Sequence, residues 1–340
     1  MRVEHDVPLA SLTTLRLGGP ARRLVTAETA EEIVAAVRDD EEPLLLIAGG
    51  SNLVLPDAGW PGTVVRIATR GVEVAGGRVV AQAGENWEAL VARCVKGRLA
   101  GVECLSGIPG SVGATPIQNV GAYGQEIAEV VARVRVYDRE RDEVVDLGPR
   151  ECGFGYRTSA FKGAPGGRVV LEVELALREE EAADPVRYAE LAHALGVAIG
   201  ERAPLDDVRA AVLALRRAKG MVLDPCDADT VSAGSFFTNP VLNEEEFAAL
   251  RERVTEAPPA FPGAGGHVKT SAAWLIERAG FDRGYGDGRA RVSSKHTLAL
   301  TNRGGTTAEL LALAREIRDG VREAFGVTLE PEPTLVGERL

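Results

Sequence analysis

The sequence predicts an α+β protein with more than one domain, and three observations support this class. A strand, a helix and a second strand follow one another between 23 and 48, which is a βαβ pattern. The stretch 130–177 instead alternates apolar with charged residues, as antiparallel strands do. After 216, short strands again alternate with helices. A length of 340 residues corresponds to about two or three domains.

The first two-thirds of the chain predicts a βαβ unit near the N-terminus and an antiparallel sheet after it. Thr29 and Glu32 form a capping box at the start of a helix that follows the first strand. A second amphipathic helix is predicted over 87–99, and a third, capped helix over 206–217. Strands are predicted at 23–27, 44–48, 63–83 as a hairpin broken at 75–77, 130–137, 144–147 and 168–177.

The last third predicts a small α/β sandwich that begins near Arg216. A strand ends in the segment 234–240, and a later strand is predicted through 297–301. Helices follow the cap Asn243, cover 272–279 and begin at a capping box formed by Thr306 and Glu309. The tail 327–336 is predicted to be extended.

Charge and cysteine usage exclude several classes of protein. A formal net charge of −11 and a pI near 5.1 argue against nucleic acid as the partner. No CxxC occurs, and neither the cysteines nor the histidines have metal-ligand spacing, so we expect no metal site. No stretch has the length or apolarity of a membrane span or a signal peptide. We therefore expect a cytoplasmic protein, without disulfides, that acts as a monomer.

The stretch 108–124, IPGSVGATPIQNVGAYG, is the strongest local signal. It contains seventeen residues without a charge, and four glycines and two prolines interrupt regular structure. Backbone N–H groups of such a loop form a concavity that suits a diphosphate, and Gln118 with Asn119 suits the edge of a planar heterocycle. The alternative is a buried connection that only turns a corner. Long loops inside compact domains are usually functional, which favours binding.

A second glycine turn, Gly49-Gly50-Ser51-Asn52, follows the strand 44–48 directly. Backbone groups commonly meet a ligand at this position of a βαβ unit, although a simple strand-end turn is an equal alternative.

Three polar residues lie in unusual settings and could carry chemistry. Arg157 follows two glycines, Ser235 follows Gly234, and Glu332 lies between two prolines. A guanidinium holds a carboxylate, a hydroxyl delivers a proton, and a carboxyl stabilises an enol. Taken singly, a surface ion pair, a turn serine and a solvated glutamate are the simpler interpretations. No GxGxxG after a strand, GxxxxGK[ST], HExxH or GxSxG supports other common chemistries.

Taken together, the motifs resemble those of the UDP-N-acetylenolpyruvoylglucosamine reductase (MurB) family, in order and over nearly the whole chain. They are GGSN at 49–52, IPGSVG at 108–113, PIQNVGAYG at 116–124, GYR at 155–157, AGSFFTNP at 233–240 and LEPE at 329–332. The segment 115–119 and the extra segment that carries Tyr188 resemble the type I members of the family.

The resemblance implies a flavoprotein oxidoreductase of peptidoglycan synthesis. It would reduce UDP-N-acetylglucosamine enolpyruvate to UDP-N-acetylmuramate, with NADPH as co-substrate and non-covalent FAD as cofactor. The implied fold is a vanillyl-alcohol-oxidase-type FAD-binding pair of domains plus a C-terminal α/β substrate domain. The expected division is 1–68 with 327–340, then 69–215, and finally 216–326 as the substrate domain.

The resemblance also implies roles for individual residues. Arg157 would polarise the enolpyruvyl carboxylate, Glu332 would assist it, and Ser235 would donate the proton. The sugar nucleotide would be bound by Tyr188, Lys219, Asn239, Lys269 and His296. FAD would be bound by the two glycine-rich stretches, through Gly49, Gly50, Ser51, Asn52, Ile108, Pro109, Gly110, Ser111, Gly113, Ala114, Gln118, Asn119, Gly121, Ala122 and Tyr123.

Two alternative functions remain open from the sequence. A related FAD-dependent sugar or alcohol oxidase would share the first two domains, but such enzymes often tether the flavin through His or Cys, and only Cys104 lies near these loops. A non-catalytic nucleotide-sugar or flavin-binding protein gives no reason for Arg157, Ser235 and Glu332 to occur together.

Overall fold

A computed structural model describes residues 1–38, 43–163 and 166–340. These residues form two compact units that exchange segments along the chain. The first unit contains 1–7, 20–50 and 60–222, and the second contains 8–19, 51–59 and 223–340. The finer division into three domains stays a prediction.

The described residues contain both helices and strands, which confirms the predicted α+β class. The helices are α1 (Ala30–Arg38), α2 (Trp87–Lys96), α3 (Pro149–Cys152), α4 (Ala160–Gly163), α5 (Ala189–Leu195), α6 (Leu205–Ala218), α7 (Glu244–Glu252), α8 (Ala272–Arg278) and α9 (Thr307–Phe325). The strands are β1 (Arg2–Pro8), β2 (Pro20–Ala27), β3 (Leu44–Ile47), β4 (Leu53–Val54), β5 (Trp60–Ile67), β6 (Val72–Ala75), β7 (Arg78–Gln82), β8 (Leu99–Ala100), β9 (Gly121–Ala122), β10 (Gln125–Glu126), β11 (Val131–Asp138), β12 (Glu143–Leu147), β13 (Arg168–Ala176), β14 (Arg178–Glu179), β15 (Ser232–Ser235), β16 (Val241–Leu242), β17 (Phe261–Pro262), β18 (Val268–Lys269), β19 (Ala290–Val292), β20 (Ala299–Asn302) and β21 (Thr334–Leu335).

The first unit begins with a four-stranded sheet in the order β1-β2-β5-β3. The predicted βαβ pattern is confirmed, because β2 and β3 both run parallel to β5, which lies between them. Helix α1 begins where predicted, since Thr29 Oγ1 accepts the Glu32 N–H at 3.2 Å. Its Ile33 and Val37 are fully buried against Val25 and Val65 of the sheet.

The second sheet of this unit is antiparallel, in the order β12-β11-β13-β7-β6. It includes the predicted strands β11, β12 and β13, and the predicted break at 75–77 lies at the turn of a hairpin formed by β6 and β7. The hairpin prediction over 63–83 is wrong for its first part, because 63–67 belongs to β5, which pairs in parallel with β2 and β3. Helix α2 ends at Lys96, three residues before the predicted 99, because Gly97 caps its last carbonyls. Trp87, Leu90 and Val91 of α2 are buried in a core shared with Val173 of β13. In the described residues no helix is long and apolar enough to cross a bilayer.

The second unit is organised around α9, which begins at the predicted capping box of Thr306 and Glu309. Leu310, Ala314 and Ile317 are buried on the face of α9 that packs in the same core as Leu300 of the sheet β15-β20-β19. Two segments from the N-terminal part of the chain, 8–19 and 51–59, belong to this unit. The sequence patterns did not predict this exchange of segments.

Asp57 attaches one of these segments to the start of α9. Its Oδ1 accepts the Thr307 N–H at 2.8 Å and its Oδ2 accepts the Ala308 N–H at 3.0 Å. The Thr307 hydroxyl also donates to the Leu55 carbonyl at 2.6 Å. A carboxylate at a helix N-terminus is stabilised by the free N–H groups and by the helix dipole. Asp57 thus caps a helix that lies 250 residues away in sequence.

We expect Asp57→Asn to lower the free energy of unfolding by about 1–2 kcal/mol, because one acceptor and the negative charge are lost at the helix N-terminus. Urea unfolding followed by circular dichroism measures this change. Asp282→Asn, which changes an exposed carboxylate of the same unit, is the matched control. Equal stability of the two variants would contradict the capping role.

Candidate active site

Backbone hydrogen bonds hold the glycine-rich loop 108–124 against the connection between β7 and α2. Val112 N–H donates to the Glu85 carbonyl and Gly113 N–H donates to the Ala83 carbonyl, both at 2.9 Å. A Cβ added to Gly113 would lie 2.5 Å from the Ala83 Cβ, so a side chain does not fit there. The loop therefore has a fixed shape, which the interpretation as a simple corner does not require.

The two predicted glycine turns approach each other in the first unit. A Cβ on Gly49 would lie 2.6 Å from the Gly110 Cα, and Gly50 and Gly110 have φ values of +57° and +122°. Among the described residues, the N–H groups of Gly49, Gly50, Gly110 and Ser111 donate to no other protein atom. Backbone donors in this arrangement form a concavity for an anion such as a diphosphate.

Ser111 supplies an independent sign that a ligand belongs at this loop. Its side chain is 4% exposed, and its Oγ is one of three buried side-chain polar atoms in the described residues that have no hydrogen-bond partner. A buried hydroxyl without a partner is costly unless a bound group completes it. The loop therefore fits a cofactor with hydrogen-bonding groups, as FAD has.

The far end of the loop is attached to the turn that carries Arg157. The Asn119 amide, which we expected to meet a heterocycle, donates to Glu126 Oε2 at 2.7 Å and to the Gly155 carbonyl at 3.0 Å. Its Oδ1 accepts the Ala128 N–H at 3.1 Å. Both amide hydrogens are thus used within the protein. Of the other predicted cofactor residues, those half-buried along the loop are Ile108, Pro109, Ala114, Gln118, Gly121, Ala122 and Tyr123.

Arg157 lies in a tight turn in which the N–H of Gly155 donates to the Thr158 carbonyl at 3.0 Å. Its φ is +53°, a left-handed conformation that is uncommon for a residue with a long side chain. One guanidinium N–H donates to the Gly121 carbonyl at 2.8 Å, and the group lies 5.6 Å from the Tyr156 ring centroid. Such strain at a polar residue is typical of a functional position.

Tyr188 and Lys219 come together in the first unit, as their common predicted role requires. The Tyr188 ring packs edge-on against Tyr123, with centroids 5.5 Å apart, and Lys219 Nζ lies 5.9 Å from the Tyr123 centroid. Lys219 also forms an ion pair with Glu190 at 2.6 Å. Burial raises the pKa of Tyr123 to about 12 and also raises the pKa of Tyr188. Both phenols therefore remain protonated donors at neutral pH.

The second unit brings Ser235 and Glu332 onto neighbouring chain segments. Glu332 N–H donates to the Phe236 carbonyl at 2.9 Å, next to Ser235 at the end of β15. Phe236 and Phe237 are each 1% exposed, so the strand is anchored while Ser235 remains half-buried. The two predicted catalytic groups are therefore held by one backbone pairing.

Asn52 and Ser51 belong to this second unit and lie beside the same segment. Asn52 Nδ2 donates to the Glu332 carbonyl at 3.4 Å, and Thr334 N–H donates to the Asn52 carbonyl at 3.0 Å. The Thr14 hydroxyl donates to the carbonyls of Ser232, at 2.7 Å, and Ser51, at 3.4 Å. The structure thus divides the GGSN turn, with Gly49 and Gly50 in one unit and Ser51 and Asn52 in the other.

The remaining predicted substrate residues are all half-buried in the second unit. Asn239 Oδ1 accepts the Ala272 N–H at the start of α8, at 3.0 Å. Lys269 lies on β18, between Val241 and Phe261 of the neighbouring strands. His296 belongs to the turn before β20, where its carbonyl accepts the Ala299 N–H at 3.1 Å.

Two acidic residues of these clusters were not predicted from the sequence. Glu190 lies two residues after Tyr188, and Glu126 lies seven residues after Asn119. The partner of Glu190, Lys219, lies 29 residues away, and the contact of Glu126 depends on which way the Asn119 side chain turns, so no local pattern marks either residue. In the part of the chain that the structure describes, no group of three or more His, Cys, Asp or Glu side chains could hold a metal ion. Cys104 is a free cysteine whose pKa is raised by burial, which disfavours the thiolate.

Comparison with known proteins identifies both parts of the chain. Residues 21–148 match the FAD binding domain family, and residues 224–336 match the C-terminal domain of UDP-N-acetylenolpyruvoylglucosamine reductase. The predicted oxidase-type FAD-binding architecture with a C-terminal substrate domain is therefore confirmed.

Several relatives are similar over nearly their whole length. The UDP-N-acetylenolpyruvoylglucosamine reductase of Streptomyces coelicolor is 59% identical, over 99% of this chain and 91% of the relative. That of Thermobifida fusca is 56% identical, over 99% and 98%. The crystal structure of the Thermus caldophilus enzyme is 29% identical, with a TM-score of 0.70 over 98% of this chain and 99% of that one. This chain belongs to the UDP-N-acetylenolpyruvoylglucosamine reductase family and is an FAD-dependent oxidoreductase.

Proposed function

We propose that the clusters described above carry out the family's reaction, the NADPH-dependent reduction of UDP-N-acetylglucosamine enolpyruvate to UDP-N-acetylmuramate for peptidoglycan synthesis. When bound, FAD accepts a hydride from NADPH and delivers a hydride to the enolpyruvyl methylene carbon. The observation that carries this proposal is the backbone bond from Glu332 to Phe236, next to Ser235, in a chain whose first unit matches an FAD binding domain.

FAD is held without a covalent bond in this proposal. The N–H groups of Gly49, Gly50, Gly110 and Ser111 would hold the diphosphate, and the Ser111 hydroxyl would gain a hydrogen-bond partner. The other loop residues from Ile108 to Tyr123 that we predicted to bind the cofactor, except Asn119, would complete the site. Ser51 and Asn52, which belong to the second unit, remain predicted cofactor residues.

Arg157 stabilises the negative charge that forms on the substrate. Adding a hydride to the methylene carbon places charge on the adjacent carbon and on its carboxylate. A guanidinium fixed in position by the Gly121 carbonyl can hold that carboxylate with little reorganisation. Glu332 assists in stabilising the enolate.

Ser235 then donates a proton to the carbon next to the carboxylate. The enolate carbon is strongly basic, so a hydroxyl is a sufficient acid. One hydride and one proton together reduce the double bond, and the serine recovers its proton from solvent.

Tyr188, Lys219, Asn239, Lys269 and His296 bind the sugar nucleotide in this proposal. Lys219 and the protonated Tyr188 suit a diphosphate, because one supplies a positive charge and the other a hydrogen-bond donor. Lys219 is 29% exposed and already holds the Glu190 carboxylate, so it lies in an environment that accepts an anion.

We also propose that the protein acts as a cytoplasmic monomer and does not bind nucleic acid. The free cysteines of the described chain are consistent with a reducing compartment, and the net charge of −11 disfavours phosphate backbones.

The purified protein is expected to be yellow, to lose its flavin absorbance on anaerobic addition of NADPH, and to regain it with the enolpyruvyl sugar nucleotide. Acid precipitation should release the flavin, because it is not covalently attached. Loss of flavin absorbance on addition of a simple alcohol, followed by rapid recovery with oxygen, would favour the oxidase instead. Binding of the sugar nucleotide without absorbance recovery would favour a binding protein.

Ser235→Ala is expected to slow only the half of the cycle in which substrate is reduced, by about 10²–10⁴-fold, because general acid catalysis is lost. Reduction by NADPH needs no such proton and should remain within about threefold. Stopped-flow absorbance measures both halves.

Ser232→Ala is the control on the same strand, since the Ser232 hydroxyl is occupied by the Gly234 N–H at 3.2 Å. A Ser235→Ala enzyme that reduces substrate at the rate of this control would remove Ser235 from the mechanism.

Glu190→Gln is expected to lower the KM for the sugar nucleotide about two- to fivefold without changing kcat, because the diphosphate no longer competes with a carboxylate for Lys219. The size follows from the small free energy of an exposed ion pair. Steady-state kinetics at low salt measure the effect. Glu181→Gln removes an exposed charge from the same segment as a control, and a KM that stays equal in both variants would argue against competition at Lys219.

A further inference from the structure

Three side-chain hydrogen bonds join the glycine-rich loop to the turn that carries Arg157. Asn119 Nδ2 donates to the Gly155 carbonyl at 3.0 Å, Arg157 donates to the Gly121 carbonyl at 2.8 Å, and Ser159 Oγ donates to the Ile117 carbonyl at 2.5 Å. We call the segments 117–121 and 155–159 the paired turns. The conformation of one turn is therefore coupled to that of the other.

Asn119 occupies the central position of the paired turns. It is 1% exposed, and its amide donates to Glu126 and Gly155 while accepting from the Ala128 N–H. Its φ is +47°, a left-handed value that asparagine tolerates better than most residues with a side chain. The position thus requires both a permissive backbone and a side chain with two donors and one acceptor.

The Gly155 carbonyl that Asn119 holds is close in sequence to Arg157. Arg157 has an unfavourable positive φ of its own, which persists only if the surroundings determine the turn. The Gly155–Thr158 backbone bonds close the turn, but they do not attach it to the loop. The Asn119–Gly155, Arg157–Gly121 and Ser159–Ile117 bonds provide that attachment, and the Asn119 bond is the one that holds the Gly155 carbonyl.

We propose that Asn119 is a positioning residue for Arg157, and that it acts on the substrate carboxylate through this turn rather than by contact with cofactor or substrate. The inference rests on the proposed function, in which Arg157 holds the enolpyruvyl carboxylate. Removing the two donors of Asn119 releases the Gly155 end of the turn and shifts the guanidinium, while the Ser159–Ile117 bond and the loop's backbone bonds to Ala83 and Glu85 remain. A displaced guanidinium lowers the affinity only for ligands that carry the carboxylate.

The test compares two ligands on the FAD-loaded protein. Asn119→Asp keeps the acceptor for Ala128 and tolerates positive φ, but it loses both donors. Titration followed by flavin absorbance should show about tenfold weaker binding of the enolpyruvyl sugar nucleotide, with the affinity for UDP-N-acetylglucosamine, which lacks the carboxylate, within about twofold of wild type. The Arg157→Ala variant shows how far the affinity falls when recognition of the carboxylate is lost completely.

A second variant separates positioning from stability. Asn119→Asp combined with Glu126→Gln reverses the donor and acceptor of that pair and removes the repulsion between two carboxylates, but it does not restore the bond to Gly155. We expect the melting temperature to recover while the selective loss of affinity persists.

Equal weakening of both ligands, or recovery of selectivity together with stability in the double variant, would overturn the proposal. Failure of the wild-type flavin to be reoxidised by the enolpyruvyl compound would instead reject the proposed function itself. The two failures are therefore distinguishable.

Discussion

The close contact between Gly49 and Gly110 is the constraint on which the position of the glycine-rich loop 108–124 depends. A Cβ at Gly49 would lie 2.6 Å from the Gly110 Cα, so the two turns meet only if Gly49 has no side chain. The same packing leaves their N–H groups without protein partners and buries the Ser111 hydroxyl without one. The first unit thus has backbone N–H groups and a hydroxyl that a phosphate-containing cofactor can bind.

This arrangement also explains how a chain with a net charge of −11 can serve anionic ligands. In the proposed function, attraction is supplied locally, by backbone donors at the loop and by Lys219 and Arg157, rather than by the field of the whole surface. Both cations already lie beside protein oxygen atoms, Lys219 at Glu190 and Arg157 at Gly121. An incoming ligand therefore exchanges partners with groups that hold the cations in place.

The second unit places its reactive groups by a different means. Ser235 and Glu332 lie on segments joined by backbone hydrogen bonds. The buried side chains of Phe236 and Phe237 anchor the segment that follows Ser235. Residues from the N-terminal part of the chain stabilise this unit, through Thr14 at the Ser232 carbonyl and Asp57 at the start of α9. The positions of the proposed catalytic groups in the second unit thus depend on segments that precede residue 60.

The sequence by itself determined the α+β class, most helices and strands of the two sheets, and the glycine-rich stretches, because periodicity, caps and glycine content are local properties. It also indicated the family, since six motifs occur in order. Only the tertiary structure decided that β5 lies between β2 and β3, that Asp57 caps α9, and that the Asn119 amide binds Gly155 and Glu126. These features join residues distant in sequence, or depend on which way a side chain turns. Hydrogen bonds and burial formed by the folded chain determine them, and no local pattern records such partners.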